Sequence, residues 1–173
     1  MKRSMVLVAA TMTALLLSAS ASAASVTTVI GGGTGSFGAD LDGDGNVDGS
    51  QFALAVTIPG NGDATGRFLC LMAGRSQILG LPVMSVQGEV TGGAFNADGS
   101  ATFTGVSTVN LGNGQIFRGL SFSVTAWAGG PGLGMMQLSV IGAFDGVPGD
   151  TDIGNGNYDL PVETVRSGRI VVR

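Results

Sequence analysis

Four closely spaced aspartates in the segment 40–48 are the residues of this sequence best suited to chemistry. In chain order they are Asp40, Asp42, Asp44 and Asp48. Calcium binds six to eight oxygen ligands at about 2.3–2.6 Å, and carboxylates at alternate positions of a tightly turning loop converge on one point. Four like charges within nine residues repel one another unless a cation offsets them. The spacing therefore predicts a calcium site, and a polar turn that binds nothing is the alternative.

The same segment resembles the calcium loop of EF-hands, dockerins and related extracellular repeats, whose pattern is D-x-[DN]-x-[DN]-G. The ligands that this resemblance implies are the side chains of Asp40, Asp42 and Asp44, the backbone carbonyl of Asn46, and Asp48 either directly or through water. The resemblance also places Gly45 at the sharpest point of the turn, where a Cβ would interfere. Val47 matches the apolar position that ties the loop to the core.

Two departures from the EF-hand pattern limit the resemblance to the loop itself. The twelfth position, where an EF-hand has a bidentate glutamate, is Gln51. The residues that follow alternate as a strand, whereas an EF-hand loop lies between two helices. We therefore expect a calcium loop inserted in a β-fold. At millimolar calcium such a site gives roughly 0.4–1.4 kcal/mol of stabilisation, which favours a structural ion over a catalytic one.

A second polar segment, 145–159, is rich in aspartate, asparagine and glycine. It is either a second cation site, a source of one carboxylate for the first site, or a long loop held by Asx turns. Loops of this length are often functional, so a binding surface is also expected here. The segment 144–161 resembles one found in secreted bacterial β-domain proteins of unknown function. That resemblance implies export and a β-fold, and it implies no activity.

Several classes of chemistry are excluded by composition. The chain has no histidine, and its one lysine is Lys2. A Ser-His-Asp triad, a Cys-His pair and a histidine-ligated metal are therefore impossible. Cys70 is the single cysteine, so no intramolecular disulfide forms, and its apolar neighbours predict a buried thiol. An acidic chain with net charge −4 is a poor partner for nucleic acid or for anionic membranes.

The elements that position these residues are predicted to be strands. Large apolar residues occupy every second position of segments such as 52–58 and 120–126, which indicates half-buried antiparallel strands. Turn sequences such as 96–99 and 112–114 separate them. About eight or nine strands are expected, in a β-sandwich or jelly roll, with a β-barrel as the alternative.

The first 23 residues have the pattern of a secretory signal peptide. Lys2 and Arg3 precede an apolar run of about a dozen residues, and an Ala-Ser-Ala sequence ends at Ala23. The run is shorter than the about 20 residues of a transmembrane helix. We therefore predict cleavage after Ala23, a single all-β domain over 24–173 with no membrane insertion, and a secreted, extracellular or cell-surface location.

Three functions are compatible with these features. The leading hypothesis is a secreted, calcium-stabilised, non-catalytic β-module that binds a carbohydrate or a protein. The second is a hydrolase with paired carboxylates, which needs Glu89 or Glu163 beside an aspartate in a cleft. The third is a structural protein that assembles through strand edges. A sugar-binding platform needs an exposed aromatic face, for which Trp127 and Tyr158 are the candidates.

Overall fold

The computed structural model describes residues 25–74, 78–129 and 133–173. The predicted signal peptide at 1–23 lies outside the described residues. Within the described ranges, no helix has the length and apolarity that a membrane span requires.

The described residues form nine antiparallel strands and thereby confirm the all-β prediction. The strands are β1 (Val26–Ser36), β2 (Gln51–Pro59), β3 (Thr65–Ala73), β4 (Val83–Phe95), β5 (Ala101–Asn110), β6 (Ile116–Ala128), β7 (Gly134–Ile141), β8 (Tyr158–Asp159) and β9 (Glu163–Val172). The predicted turns at 96–99 and 112–114 connect β4 to β5 and β5 to β6. Gly99 and Gly114 both adopt positive φ there, as tight turns favour.

All nine strands belong to one sheet, in the order β6-β5-β4-β3-β2-β1-β9-β7-β8. Each strand from β1 to β7 pairs with the strand that follows it in the sequence, as consecutive strands usually do. An additional pairing joins β6 to β7, so that eight strands form a closed ring and β8 is attached to β7.

Side chains alternate between the interior of this ring and solvent. In β2, the buried residues are Phe52, Leu54, Val56 and Ile58, and the residues between them are exposed. The same alternation in β4, β6 and β7 contributes to one buried apolar core. The predicted period of two is therefore confirmed, and each strand presents its second face outward.

Two inward-facing glycines make room for an aromatic ring in the core. A Cβ on Gly88 would lie 2.5 Å from the ring of Phe122, whereas a Cβ on Gly105 would lie 1.9 Å from the Glu89 carbonyl oxygen and 3.0 Å from the same ring. Phe122 in turn stacks on Phe68, with ring centroids 6.0 Å apart. The absence of a side chain at Gly88 thus leaves room for the ring of Phe122, and its absence at Gly105 also allows the close approach of the Glu89 backbone.

Both aspartate-rich segments lie at one end of the ring, which we call the loop end. It comprises the connections 37–50, 111–115 and 142–162 and residues 78–82 before β4, because alternate hairpins of an antiparallel ring share an end. Leu41 of the first loop lies close to Gly149 of the second, since a Cβ on Gly149 would be 3.6 Å from the Leu41 Cδ1 atom. Eight of the twelve acidic residues of the chain belong to these two loops.

Candidate metal centre

The predicted calcium loop is the connection between β1 and β2, and backbone hydrogen bonds close its base. The Phe37 N–H donates to the Asp48 carbonyl at 3.0 Å, and the Asp48 N–H donates to the Ala39 carbonyl at 2.9 Å. These bonds continue the β1–β2 ladder beyond the strands. They bring Asp40 and Asp48, the first and last aspartates of the loop, to adjacent positions.

Asp40 organises the turn through both carboxylate oxygens. Its Oδ2 accepts the Gly45 N–H at 2.8 Å, and its Oδ1 accepts the N–H groups of Gly43 and Asp44 at 2.8 and 3.1 Å. The bond from Gly45 is the largest reason why the pKa of Asp40 is lowered, since amide donors favour the ionised carboxyl. Asp40 is therefore a carboxylate fixed in place at the entrance of the loop.

Gly45 is required for a different reason from the one expected. A Cβ at this position would have no heavy atom within 4 Å, so a steric clash is not what favours glycine. Its φ of 91° lies in the region that L side chains rarely adopt. The turn therefore depends on the backbone freedom of Gly45, and the expectation that a Cβ would collide there is wrong.

Val47 is half exposed, so the expectation that it ties the loop to the core is also wrong. Leu41 and Phe37 take that role, because both are partly buried against the core cluster. Leu41 is oriented toward the second loop, whereas Val47 follows Asn46 on the solvent side. All of these residues are apolar, so the residue type by itself did not indicate which side chain faces inward.

Asp48 is the buried member of the group, with none of its surface exposed. Its Oδ2 accepts the Leu41 N–H at 2.7 Å, whereas its Oδ1 is buried and has no hydrogen-bond partner. Burial raises the pKa of Asp48, and the charges of Asp42, Asp44 and Asp40 raise it further. An unpartnered buried carboxylate oxygen costs free energy unless another group, such as a cation, satisfies it.

Carboxylate oxygens from Asp40, Asp42 and Asp48 lie together, all within 4.8 Å of one another. Two oxygens on opposite sides of a calcium ion are separated by about 4.6–5.2 Å, which is twice the calcium–oxygen distance. One ion could therefore contact all three side chains. Asp48, whose buried Oδ1 has no hydrogen-bond partner, is the third member of this group.

Asp44 has its own local bonds, because its Oδ1 accepts the backbone and side-chain N–H groups of Asn46 at 2.7 and 3.0 Å. It stands outside the three-carboxylate cluster. Gln51 is the exposed first residue of β2. The ligand roles predicted for Asp44 and for the Asn46 carbonyl remain predictions.

The second aspartate-rich loop is held by side-chain-to-backbone hydrogen bonds. Asp145 accepts the N–H groups of Gly154 and Gly156 at 2.7 and 2.9 Å. Asp150 accepts those of Gly146 and Asp152 at 2.8 and 3.1 Å. Among the described residues, the metal-type carboxylate cluster is the one at Asp40, Asp42 and Asp48. The geometry thus agrees with the Asx-turn alternative for 145–159.

Comparison with protein-family models, with curated proteins and with solved structures finds no match for this chain. The site must therefore be understood from its own residues.

Sequence reasoning considered Glu163 only as a candidate catalytic carboxylate and missed that it supports the loop. Glu163 is 2% exposed, and its two carboxylate oxygens accept the Ser50 backbone N–H at 2.5 Å and the Ser50 hydroxyl at 2.8 Å. Burial raises the pKa of Glu163. The alternation of β9 contained the signal, since Glu163 shares its strand face with the core residue Val165.

The remaining candidate residues are placed away from a catalytic arrangement. Glu163 is buried and Glu89 lines a broad outer groove whose lining includes no aspartate. Burial raises the pKa of Cys70 to about 12, which makes the thiol unreactive. Tyr158 is buried and donates to the Pro148 carbonyl at 3.1 Å. The Trp127 indole N–H lies 3.4 Å from Asp98 in the β4–β5 turn.

Proposed function

We propose that this chain is a secreted, non-catalytic β-module whose loop end is stabilised by one calcium ion. The observation that carries the proposal is that Asp48, whose buried Oδ1 has no hydrogen-bond partner, places a carboxylate oxygen within 4.8 Å of oxygens of Asp40 and Asp42. Three carboxylates so close together repel one another, and one of them is desolvated. A divalent cation offsets both costs at once.

Calcium fits this site better than the softer transition metals. The cluster offers carboxylate oxygens, and hard oxygen ligands select calcium or magnesium over metals that prefer imidazole or thiolate. An irregular loop with side-chain and backbone oxygens suits the flexible coordination of calcium, whereas magnesium demands near-ideal octahedral geometry. Export to a calcium-rich medium, as the N-terminal sequence predicts, supports the same choice.

Thermal unfolding of the exported protein with calcium and with chelator tests the metal. For a site of extracellular affinity, millimolar calcium gives roughly 0.4–1.4 kcal/mol, which raises Tm by about 1–5 °C in a domain of this size. The Asp42→Ala variant should lose the calcium-dependent rise. Asp63→Asn is the matched control, because Asp63 is an exposed aspartate in the turn between β2 and β3. Equal melting in calcium and chelator for the unmodified protein would contradict the proposal.

A binding function is favoured over catalysis and over assembly through strand edges. The described structure offers broad, open grooves on the outside of the ring, whose linings contain one acidic residue, Glu89. Closure of the ring leaves eight strands paired on both sides, which reduces the edge that self-assembly would use. Binding of a carbohydrate or a protein on this outer surface is the activity that we propose for the module.

A further inference from the structure

Positively and negatively charged side chains occupy different parts of the surface of the ring. The described arginines are all exposed and lie on strands β3, β6 and β9 or at the end of β9, namely Arg67, Arg118, Arg166, Arg169 and Arg173. The acidic residues are concentrated in the two loops of the loop end and in the turns. On an acidic protein, the outer face of the strands is therefore locally basic.

Two adjoining grooves cross this outer face. The larger, of about 610 Å³, crosses β2 to β5, and its lining includes the exposed Ala53, Ala55, Arg67, Gln87 and Glu89 and the half-buried Thr108. The smaller, of about 290 Å³, lies between β1 and β9, where Arg169 and Arg173 flank a floor of glycines.

The two grooves adjoin at β1, where Gly32 and the exposed side chain of Ile30 lie between β2 and β9. Gly32 is paired in register with Ala53 on one side and with Arg169 on the other. Ile30 is paired in the same way with Ala55 and Val171. Residues directly opposite each other on paired strands share a face, so these rows run outward-facing from β9 to β2. The result is one elongated trough with two guanidinium groups at its β9 end.

We propose that this trough binds a carbohydrate chain that carries carboxylate groups, that is, a polyuronate. The inference rests on the proposed binding function and names its ligand class. Arg169 and Arg173 bind a uronate carboxylate, since the guanidinium fork matches a carboxylate in two parallel hydrogen bonds. Gln87 and Thr108 donate to and accept from sugar hydroxyl groups further along the trough.

An extended acidic peptide fits the trough less well than a sugar chain. Peptides that bind sheets add as a strand to a free edge, but β1 to β5 are each paired on both sides. The grooves are open, and Ile30, Leu69, Val106 and Val171 line them together with glycines and alanines, without a deep pocket for alternate side chains. Among the described lining residues no exposed aromatic ring is present for stacking, so binding depends on charge and falls with salt.

Glu89 determines where the trough is positively charged, because it is paired in register with Arg67. Its negative charge offsets that arginine in the middle of the trough, so the net positive charge is left at the β9 end. A bound uronate is therefore placed at Arg169 and Arg173. Removal of the Glu89 charge should strengthen the binding of polyuronates.

The test is titration calorimetry of the exported protein with polygalacturonate and, for comparison, the neutral glucan dextran. Chelator is present throughout, because calcium itself associates with polyuronates. We expect polygalacturonate to bind at low salt and dextran not to bind. The double variant Arg169→Gln/Arg173→Gln should bind roughly ten- to hundredfold more weakly, as the loss of two charge-assisted contacts predicts. Glu89→Gln should bind more tightly.

The charge-matched control is Arg118→Gln/Arg166→Gln, since both arginines are exposed and line neither groove. It should bind like the unmodified protein, and each variant should melt at an unchanged temperature. Equal binding of dextran, no binding of polygalacturonate, or equal weakening in both double variants overturns the proposal. So does a low-salt dimer that Arg169→Gln/Arg173→Gln abolishes without any polyuronate binding, because the face then holds a second copy. Melting with calcium tests the metal site separately.

Discussion

Ser50 and Glu163 are joined by two hydrogen bonds inside the core, although 113 positions separate them along the chain. Ser50 lies two residues after Asp48, where the predicted calcium loop returns to β2, and Glu163 is the first residue of β9. The Gly35 N–H donates to the Ser50 carbonyl at 2.9 Å, which ties the same point to β1. The end of the loop is therefore hydrogen-bonded to two strands, β1 and β9.

Replacement of Glu163 by alanine should destabilise the domain more than replacement by glutamine. Alanine leaves the buried N–H and hydroxyl of Ser50 without an acceptor, at a cost of about 1–3 kcal/mol for each unsatisfied group. Glutamine keeps an acceptor for the N–H, and its amide can donate to the hydroxyl. Urea unfolding of the two variants in chelator measures the difference. Equal destabilisation would mean that these hydrogen bonds do not support the loop.

Stability of the metal-free domain should rise as the pH is lowered from neutral into mild acid. Folding raises the pKa of Asp48 and of Glu163 above their ordinary values of 3.8 and 4.5. The ionised forms therefore cost folding free energy, and that cost disappears as the pH falls through the raised values. Asp40, Asp98 and Asp150 have lowered pKa values, so their stabilisation is lost only below pH 3.8.

Urea midpoints measured across this pH range in chelator check the prediction. Glu163→Gln should flatten the rise, because one of the two groups that cause it no longer titrates. A midpoint that falls steadily from neutral pH downward would show that neither carboxylate is destabilised by burial. With calcium present the rise should be smaller, since the ion favours the ionised Asp48.

The strand architecture was predictable because alternation in β2 and β6 is a local property of the sequence. The pairing of β9 with β1 that closes the ring was not, since it joins the first described strand to the last through long-range register. The loop was located by its aspartates, but which carboxylates converge depends on the hydrogen bonds at its base. The predicted Asp40, Asp42 and Asp48 meet, whereas Asp44 bonds with its neighbour Asn46.

A methyl group on Gly88 should destabilise the core. Its Cβ would lie 2.5 Å from the ring of Phe122, which stacks on Phe68 and has little room to move. Overpacking of this kind costs typically about 1–3 kcal/mol. Gly32→Ala is the control, because the nearest atom to a Cβ there is a carbonyl oxygen at an ordinary 3.5 Å. Chemical denaturation should show a loss for Gly88→Ala and a change within about 0.5 kcal/mol for Gly32→Ala.

The cause of that loss is tested by the double variant Gly88→Ala/Phe122→Leu. If the methyl group collides with the ring, the double variant should be more stable than the sum of the two single changes indicates, because the residues are in contact. Strict additivity would instead assign the loss at Gly88 to the backbone of β4 and not to the fit of the ring.

Replacement of Asp48 by asparagine should change stability in opposite directions with and without calcium. In chelator, asparagine removes a buried charge that Asp40 and Asp42 repel, and its carbonyl still accepts the Leu41 N–H. Its amide donates to the neighbouring carboxylates, so the variant should equal or exceed the unmodified protein, by up to about 1 kcal/mol.

In calcium the order of the two proteins should reverse, because the asparagine variant lacks one of the three carboxylates that surround the ion. Its Tm should not respond to calcium, whereas the unmodified protein gains its metal-dependent stability. Asp63→Asn, which removes an exposed charge of the β2–β3 turn, should follow the unmodified protein in both media. Calorimetric melts of the three proteins in both media give the Tm values that test this reversal. A variant that loses stability in chelator and still responds to calcium would show that the unpartnered oxygen of Asp48 is not a metal ligand.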